Sequence, residues 1–439
     1  MNKTVPSILI AAALLAGCNP FNKARPKTPV VGDRVAVLAR EGEIAVDPAT
    51  AAIPFSLAEA VINADWAQPG GSATKSLGHL ALGTALGTAY SVSIGAGDQV
   101  DARLASAPVV ADGKVFTIDT TATVRAFDAA SGRVLWATQF GTEKGNSSSL
   151  FGGGVATSGG RVYATNGLGF VASLDAGNGG IVWQQRLGGP LRGAPSIDGD
   201  TLYAMSQDNQ IFSLKTADGT TRWSNPAALE IAGVFGTGAP AIAQSTVVAG
   251  FSSGELNAYR SENGRLVWQD ALSRTSISTS VATLSDIDAS PVIDNNQVFA
   301  VGQGGRMVAL DLNSGQRIWE INIAGIATPW VAGDWVYVVT DDAKLVSIAR
   351  QTGKIRWINQ LPAYQNEKKK NGPISYVGPV LAGGRLIVAG SNGVVINVDP
   401  DKGGFQSQTN LGAGVHVSPV VANQTLYLLD DRGRLNAFR

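Results

Sequence analysis

One frame of fixed spacing recurs along this chain and leaves few architectures open. Counted from Pro291, Val298 stands at +7, Phe299 at +8, Gly305 at +14, Leu310 at +19, Gly315 at +24 and Trp319 at +28. The frame also starts at Pro108, Val155, Pro195, Pro240, Pro329 and Pro379. Position +24 is glycine in all seven units: Gly132, Gly179, Gly219, Gly264, Gly315, Gly353 and Gly403. Position +28 is Trp136, Trp183, Trp223, Trp268, Trp319 and Trp357, with Ser407 in the seventh unit. Position +8 is Phe116, Tyr163, Tyr203, Val248, Phe299, Tyr337 and Ile387. A fixed period of this length marks a repeat protein.

Each unit reads as four short strands. In the first they fall near 107–111, 114–119, 124–128 and 133–140, with alternating apolar residues that give each strand a core face. The +24 glycine lies in the turn before the last strand, where a positive φ is expected. The +28 tryptophan, the largest apolar side chain of the unit, is expected to wedge between neighbouring sheets. Four strands per 40 to 50 residues describe a β-propeller blade. An eighth frame starts at Pro419, with Leu426 at +7, Tyr427 at +8, Gly433 at +14 and Phe438 at +19, and lacks an outer strand after Arg439. Upstream, Ala89-Tyr90-Ser91-Val92-Ser93 matches the last strand of a unit, with Tyr90 in the tryptophan position. The predicted fold is therefore all-β: an eight-bladed propeller of four-stranded antiparallel blades. Its ring closes by pairing the N-terminal strand 86–96 with the C-terminal blade, which leaves no sheet uncovered.

The remainder of the chain is short. Residues 1–17 combine the basic start Met1-Asn2-Lys3 with an apolar run from Ile8 to Ala16, too short to cross a bilayer, and read as a signal peptide. The run ends in Leu15-Ala16-Gly17-Cys18, and Cys18 is the single cysteine of the chain. Residues 18–60 hold Pro20, Pro26, Pro29, Pro48 and Pro54 and read as an anchored, partly extended tether. An edge strand within 32–46 and one helical turn at 56–61 are expected in it. The propeller then occupies 61–439. A formal net charge of zero gives no argument for nucleic-acid binding.

Connections from each outer strand to the next inner strand emerge on one face of the ring, and their lengths differ. Trp319 to Pro329 spans 10 residues, whereas Trp268 to Pro291 spans 23 and Trp357 to Pro379 spans 22. Long loops on a rigid scaffold are where function concentrates. The last of these carries Glu367-Lys368-Lys369-Lys370, which reads as a solvated tip. The loops 225–238 and 271–289 join consecutive blades and must be neighbours. The first offers Leu229, Ile231, Val234 and Phe235; the second offers Leu284-Ser285-Asp286-Ile287-Asp288. Two readings stand. Apolar side chains beside carboxylates suit a protein interface. Equally, the apolar groups can cap the propeller's own core while the aspartates accept backbone hydrogen bonds.

The short polar turn followed by Gly and Trp resembles the repeat of pyrroloquinoline-quinone (PQQ) dehydrogenases, also eight-bladed propellers. Trp66-Ala67-Gln68-Pro69-Gly70-Gly71 is similar to an N-terminal stretch of that superfamily. Cys18 within a lipobox, one propeller of this length and the loop 284–288 together look more like the BamB family of outer-membrane assembly lipoproteins. That resemblance covers about 60–439. It implies lipidation of Cys18 and, with Asn19 following, anchoring at the outer membrane on the periplasmic side. It implies a scaffold without catalysis, metal or cofactor, monomeric within a complex, that binds the periplasmic domains of the barrel subunit BamA. Partner binding in the family maps here onto Leu284, Asp286 and Asp288 and, in the preceding loop, onto Ala232, Val234 and Phe235. The family pattern in that loop has an arginine after its apolar residues, and none is present here. Phe235 stands in its place.

The rival class is a PQQ-dependent dehydrogenase. Such enzymes carry adjacent cysteines over the cofactor, and Cys18 is alone. Asp128, Asp175, Asp311 and Asp399 all occupy frame position +20, at the start of a turn, which is a structural place. His79 and His416 lack metal-ligand spacing. Gly152-Gly153-Gly154 lies between blades and is no phosphate cradle. A third possibility is a ring that takes a small ligand or glycan in its central channel.

Overall fold

Each repeat becomes one antiparallel four-stranded sheet. The first consists of Val109–Ala111, Lys114–Ile118, Thr123–Asp128 and Val134–Gln139, within two residues of the sequence expectation. The computed structural model describes residues 44–142, 152–229, 236–272 and 285–439, all of which belong to one compact unit, Gly42–Arg439. Among them the strands form eight such blades and one two-stranded ribbon, Tyr364–Asn366 with Asn371–Pro373. The eighth blade takes its outer strand from upstream: Thr88–Ser93 pairs antiparallel with Arg434–Phe438, with Tyr90 opposite Ala437. Inner positions are buried on both faces, as in Trp335–Val339, because sheets cover them on either side. Outer strands such as Ile181–Arg186 are mostly exposed.

The repeated glycine and tryptophan meet across blades. A Cβ on Gly353 would lie 2.8 Å from Trp319 of the preceding blade, and one on Gly315 would lie 2.5 Å from Trp268. All seven +24 glycines have φ between +69° and +76°. Glycine is thus required twice, by the turn and by the indole seated on it. Each of the six tryptophans also donates its Nε1–H to a backbone carbonyl of the next blade, at frame position +21. The acceptors are Ala176, Thr216, Ser261, Leu312, Arg350 and Pro400, at 2.7–3.2 Å. On the other side the indole meets the aromatic ring at +8 of its own blade, as in Phe299–Trp319 (centroids 6.0 Å apart) and Tyr337–Trp357 (6.1 Å). Offset and tilted pairs of this kind add about 1 kcal/mol beyond burial.

The stretch after residue 60 does something the repeat pattern does not contain. Residues 63–82 run across the inner strands of all eight blades. Trp66 exchanges both backbone hydrogen bonds with Val110, Thr157 N donates to Ala67 O, and the Gln68 amide brackets Ile197. Ala73 O accepts from Ile242 N and Thr74 O from Ile293 N, both at 2.8 Å. The Trp330 indole donates to Gly78 O, Leu80 bonds Leu381, and Asn63 O accepts from Asn423 N. The contacts fall at the far ends of the inner strands and their turns. This segment therefore follows the ring of inner strands round, on the face opposite the interblade loops.

Residues 44–58 pack on blade six. Val46 bridges Ile355, the Arg356 guanidinium donates to Ile53 O at 2.7 Å, and Phe55 stacks on Trp335 with centroids 6.1 Å apart. The helical turn expected at 56–61 is instead at Pro48–Ala51. Asp47 caps it by accepting from Thr50 N at 2.8 Å, and Pro48 fits the first helical position. The signal peptide, Cys18 and the expected edge strand up to residue 43 lie outside the described residues.

Candidate functional site

The described ends of the loops 225–238 and 271–289 meet at Gly236, Gly238 and Asp288, on the face opposite the 63–82 segment. Of the six residues proposed for partner binding, Ala232, Val234, Phe235 and Leu284 lie outside the described residues. Asp286 and Asp288 are inside the loop cluster rather than on its surface, at 0% and 8% exposure. Backbone bonds fix the loop around them: Ile287 N donates to Phe251 O at 3.1 Å, and Gln303 N to Asp286 O at 2.9 Å. Ile287 is fully buried against blades four and five. From the first loop, Leu229 is described and 71% exposed.

Sequence reasoning missed the partner of Asp288. Arg192, in the loop from blade two to blade three, reaches Asp288 with Nη2–Oδ1 at 3.1 Å and also donates to Ile287 O at 3.3 Å. The side chains are 1% and 8% exposed, so the ion pair is buried. Burial pushes the Asp288 carboxyl up to about 6, with Arg192 drawing it down and Asp286 adding to the rise. Burial also lowers Arg192 from its usual value, against the pull of both aspartates. A guanidinium keeps its charge at neutral pH regardless.

The other candidate groups have structural places. Oδ1 of Asp128 accepts from Ser131 N at 2.9 Å. Oδ1 of Asp175, Asp311 and Asp399 accepts from backbone N–H groups two and three residues on. The four +20 aspartates are turn caps. His79 Nε2 accepts from Gly384 N at 3.0 Å, so its Nδ1 carries the proton and donates to Ala58 O at 2.8 Å. Gly153 and Gly154 belong to the inner strand Gly153–Ser158 rather than to a loop. A Cβ there would overlap Thr165 O or Ser106 and Ala194, so close packing explains the glycines. His416 is less isolated than its sequence position implies. Its Nδ1 lies 2.8 Å from Asp431 Oδ1, and Asp98 completes a trio of side chains with metal-ligand chemistry, the one such group among the described residues. The Lys368-Lys369-Lys370 tip is exposed at the end of the two-stranded ribbon.

The family profile described as Outer membrane protein assembly factor BamB matches residues 20–148 and 120–359. The chain belongs to the BamB family. The Vibrio cholerae BamB is 31% identical over 350 residues, 79% of this chain and 87% of that one. The Yersinia pestis BamB is 27% identical over 329 residues, 74% of this chain and 81% of that one. Among solved structures, BamB from Moraxella catarrhalis matches with TM-score 0.68 and 19% identity, covering 81% of this chain and 100% of that one. The quinohemoprotein alcohol dehydrogenase of Comamonas testosteroni matches almost as well, with TM-score 0.67 and 14% identity over 87% of this chain and 81% of that one. Shape alone does not separate scaffold from enzyme. Membership of the BamB family rests on sequence.

Proposed function

We propose that this BamB-family chain is a non-catalytic scaffold of outer-membrane protein assembly. It is anchored in the outer membrane through lipidated Cys18, faces the periplasm and binds the periplasmic domains of the barrel subunit BamA through its interblade-loop face. One observation carries this reading: the chain matches, over most of its length, proteins named as outer membrane protein assembly factors. The loops 225–238 and 271–289 support the choice of surface, because they carry Leu229, Val234, Phe235 and Leu284 next in the chain to a buried acidic centre. Aromatic side chains such as Phe235 are strong interface anchors.

Co-purification in mild detergent tests it. The native chain is expected to bring down the barrel subunit, and Phe235→Ala with Leu284→Ala to lose it. Equal capture by that variant moves the interface elsewhere. Cys18→Ser is expected to release the protein from the membrane fraction. Saturable binding of PQQ and calcium, with dye reduction, would overturn the non-catalytic reading.

A further inference from the structure

We infer that Arg192 is a positioning residue of the partner-binding face, supplying from a third loop the cation that the loop 225–238 lacks. The inference rests on the scaffold reading above. Arg192 is anchored at its own backbone, where its N donates to Met205 O at 2.8 Å and its O accepts from Gly153 N at 2.7 Å. Its side chain then passes beneath Gly236 to Ile287 O and Asp288. A Cβ on Gly236 would overlap both the Arg192 guanidinium and the Asp288 carboxylate, so Gly236 of the middle loop lies directly against the ion pair. One side chain thereby joins the loops between blades two and three, three and four, and four and five.

The arrangement is expensive as a stability device. Arg192 is fully buried, and its Nε and Nη1 have no hydrogen-bond partner among the described residues. A buried pair of this kind is often matched in stability by apolar side chains. Buried donors left without partners call for a reason other than packing. Fixing the backbone of 285–288, next in the chain to Leu284, and of Gly236, next to Phe235, is such a reason. The charge then enters the same cluster from a different chain position, 96 residues from Asp288.

The test compares full-length variants for capture of the barrel subunit's purified periplasmic domains and for thermal unfolding. Arg192→Gln leaves Asp288 buried without its cation and is expected to lower both. Arg192→Gln with Asp288→Asn removes both charges. It is expected to recover thermal stability while binding stays at least tenfold weaker, a split that a purely structural role would not produce. Arg192→Lys, a point charge without the planar fork, is expected to bind at an intermediate level. If the double variant unfolds and binds like the native chain, Arg192 does no positioning and the inference falls while the scaffold reading stands. If Phe235→Ala with Leu284→Ala binds natively, the interface itself is misplaced and the inference falls with it.

Discussion

Arg439 Nη2 donates to the carbonyl of Ala129 at 2.5 Å. That carbonyl sits at frame position +21 of blade one, where the tryptophan of the preceding blade donates in six other blade junctions. The preceding blade here is the eighth, and its outer strand carries Tyr90 instead. The tyrosine ring still occupies the indole's seat, since a Cβ on Gly132 would lie 2.6 Å from it. A phenol has no N–H at the right place, and Arg439 provides the donor from the neighbouring strand. A second bond, to Ala130 O at 3.2 Å, accompanies the first. The junction between blade eight, completed by the strand Thr88–Ser93, and blade one is thus built from two residues doing what one tryptophan does elsewhere. Arg439→Ala should lower stability by about 1–3 kcal/mol. Deleting 86–96 should abolish cooperative unfolding. Urea denaturation measures both, and a deletion variant with the native midpoint would show that this strand does not hold the ring.

The glycine beneath each indole can be tested against a glycine that has only the turn to serve. Gly353 has φ +69° and lies under Trp319; Gly333 has φ +57°, and a Cβ added to it would meet nothing within 4 Å. Alanine at Gly333 should cost about 1–2 kcal/mol, the strain of a left-handed residue. Alanine at Gly353 adds overpacking of about 1–3 kcal/mol against the indole. Denaturation midpoints should therefore separate the two, with Gly353→Ala the lower. Matching midpoints would mean that the indole moves aside freely.

The blades were legible in the sequence because their determinants are local. A strand's apolar alternation, a +24 glycine and a +28 tryptophan all lie within one unit. Even the exception is coherent: blade seven has Ser407 in place of tryptophan, and four residues before Tyr90 in blade eight stands Leu86 rather than glycine. Wedge and seat are lost together. The 63–82 segment was not legible as a path round the inner strands. Its contacts are scattered hydrogen bonds, many through its backbone, to strands that the chain has yet to make, and it has no periodicity of its own. Arg192 escaped for a related reason. Only the curvature of the ring brings it to Asp288, and nothing at position 192 marks it as a partner of a loop two blades away. The aspartates were recognised, but their burial was not, because alternation rules do not apply inside long loops.

Lys75 lies in the 63–82 segment with its ammonium fully buried, donating to Ser196 Oγ at 2.8 Å, which in turn donates to Pro240 O at 2.7 Å. Desolvation pulls its pKa down to about 7. In the unfolded chain the group titrates near ~10.4. Between those values the unfolded chain holds a proton that the folded chain does not, so stability rises with pH across that window. Below pH 7 both states are protonated, and the folded state bears the full burden of a buried charge. Lys75→Met keeps an unbranched stem of similar length. It should be more stable than the native chain at pH 6, by on the order of 3 kcal/mol. The difference should shrink toward pH 9. A gap that does not change with pH would show that Lys75 is buried without titrating.

The N-terminal segment should divide into a dispensable part and an essential one. Residues 44–58 touch blade six, through Val46, Ile53 and Phe55. Residues 63–82 hold inner strands in every blade. Their buried anchors are Trp66, stacked on Trp330 with centroids 6.2 Å apart, and Leu80, 1% exposed. Removing them exposes inner-strand amides that have no other partner at the ring's centre, and open strand edges invite association. A chain beginning at residue 59 should fold, losing the blade-six contacts and the bond from His79 to Ala58 O. A chain beginning at residue 83 should lose protection from amide hydrogen exchange at Val110, Ile197, Ile242 and Ile293 together, because one segment serves all four. Exchange that rises only in blade six would mean that the inner strands hold themselves and the segment merely follows their surface.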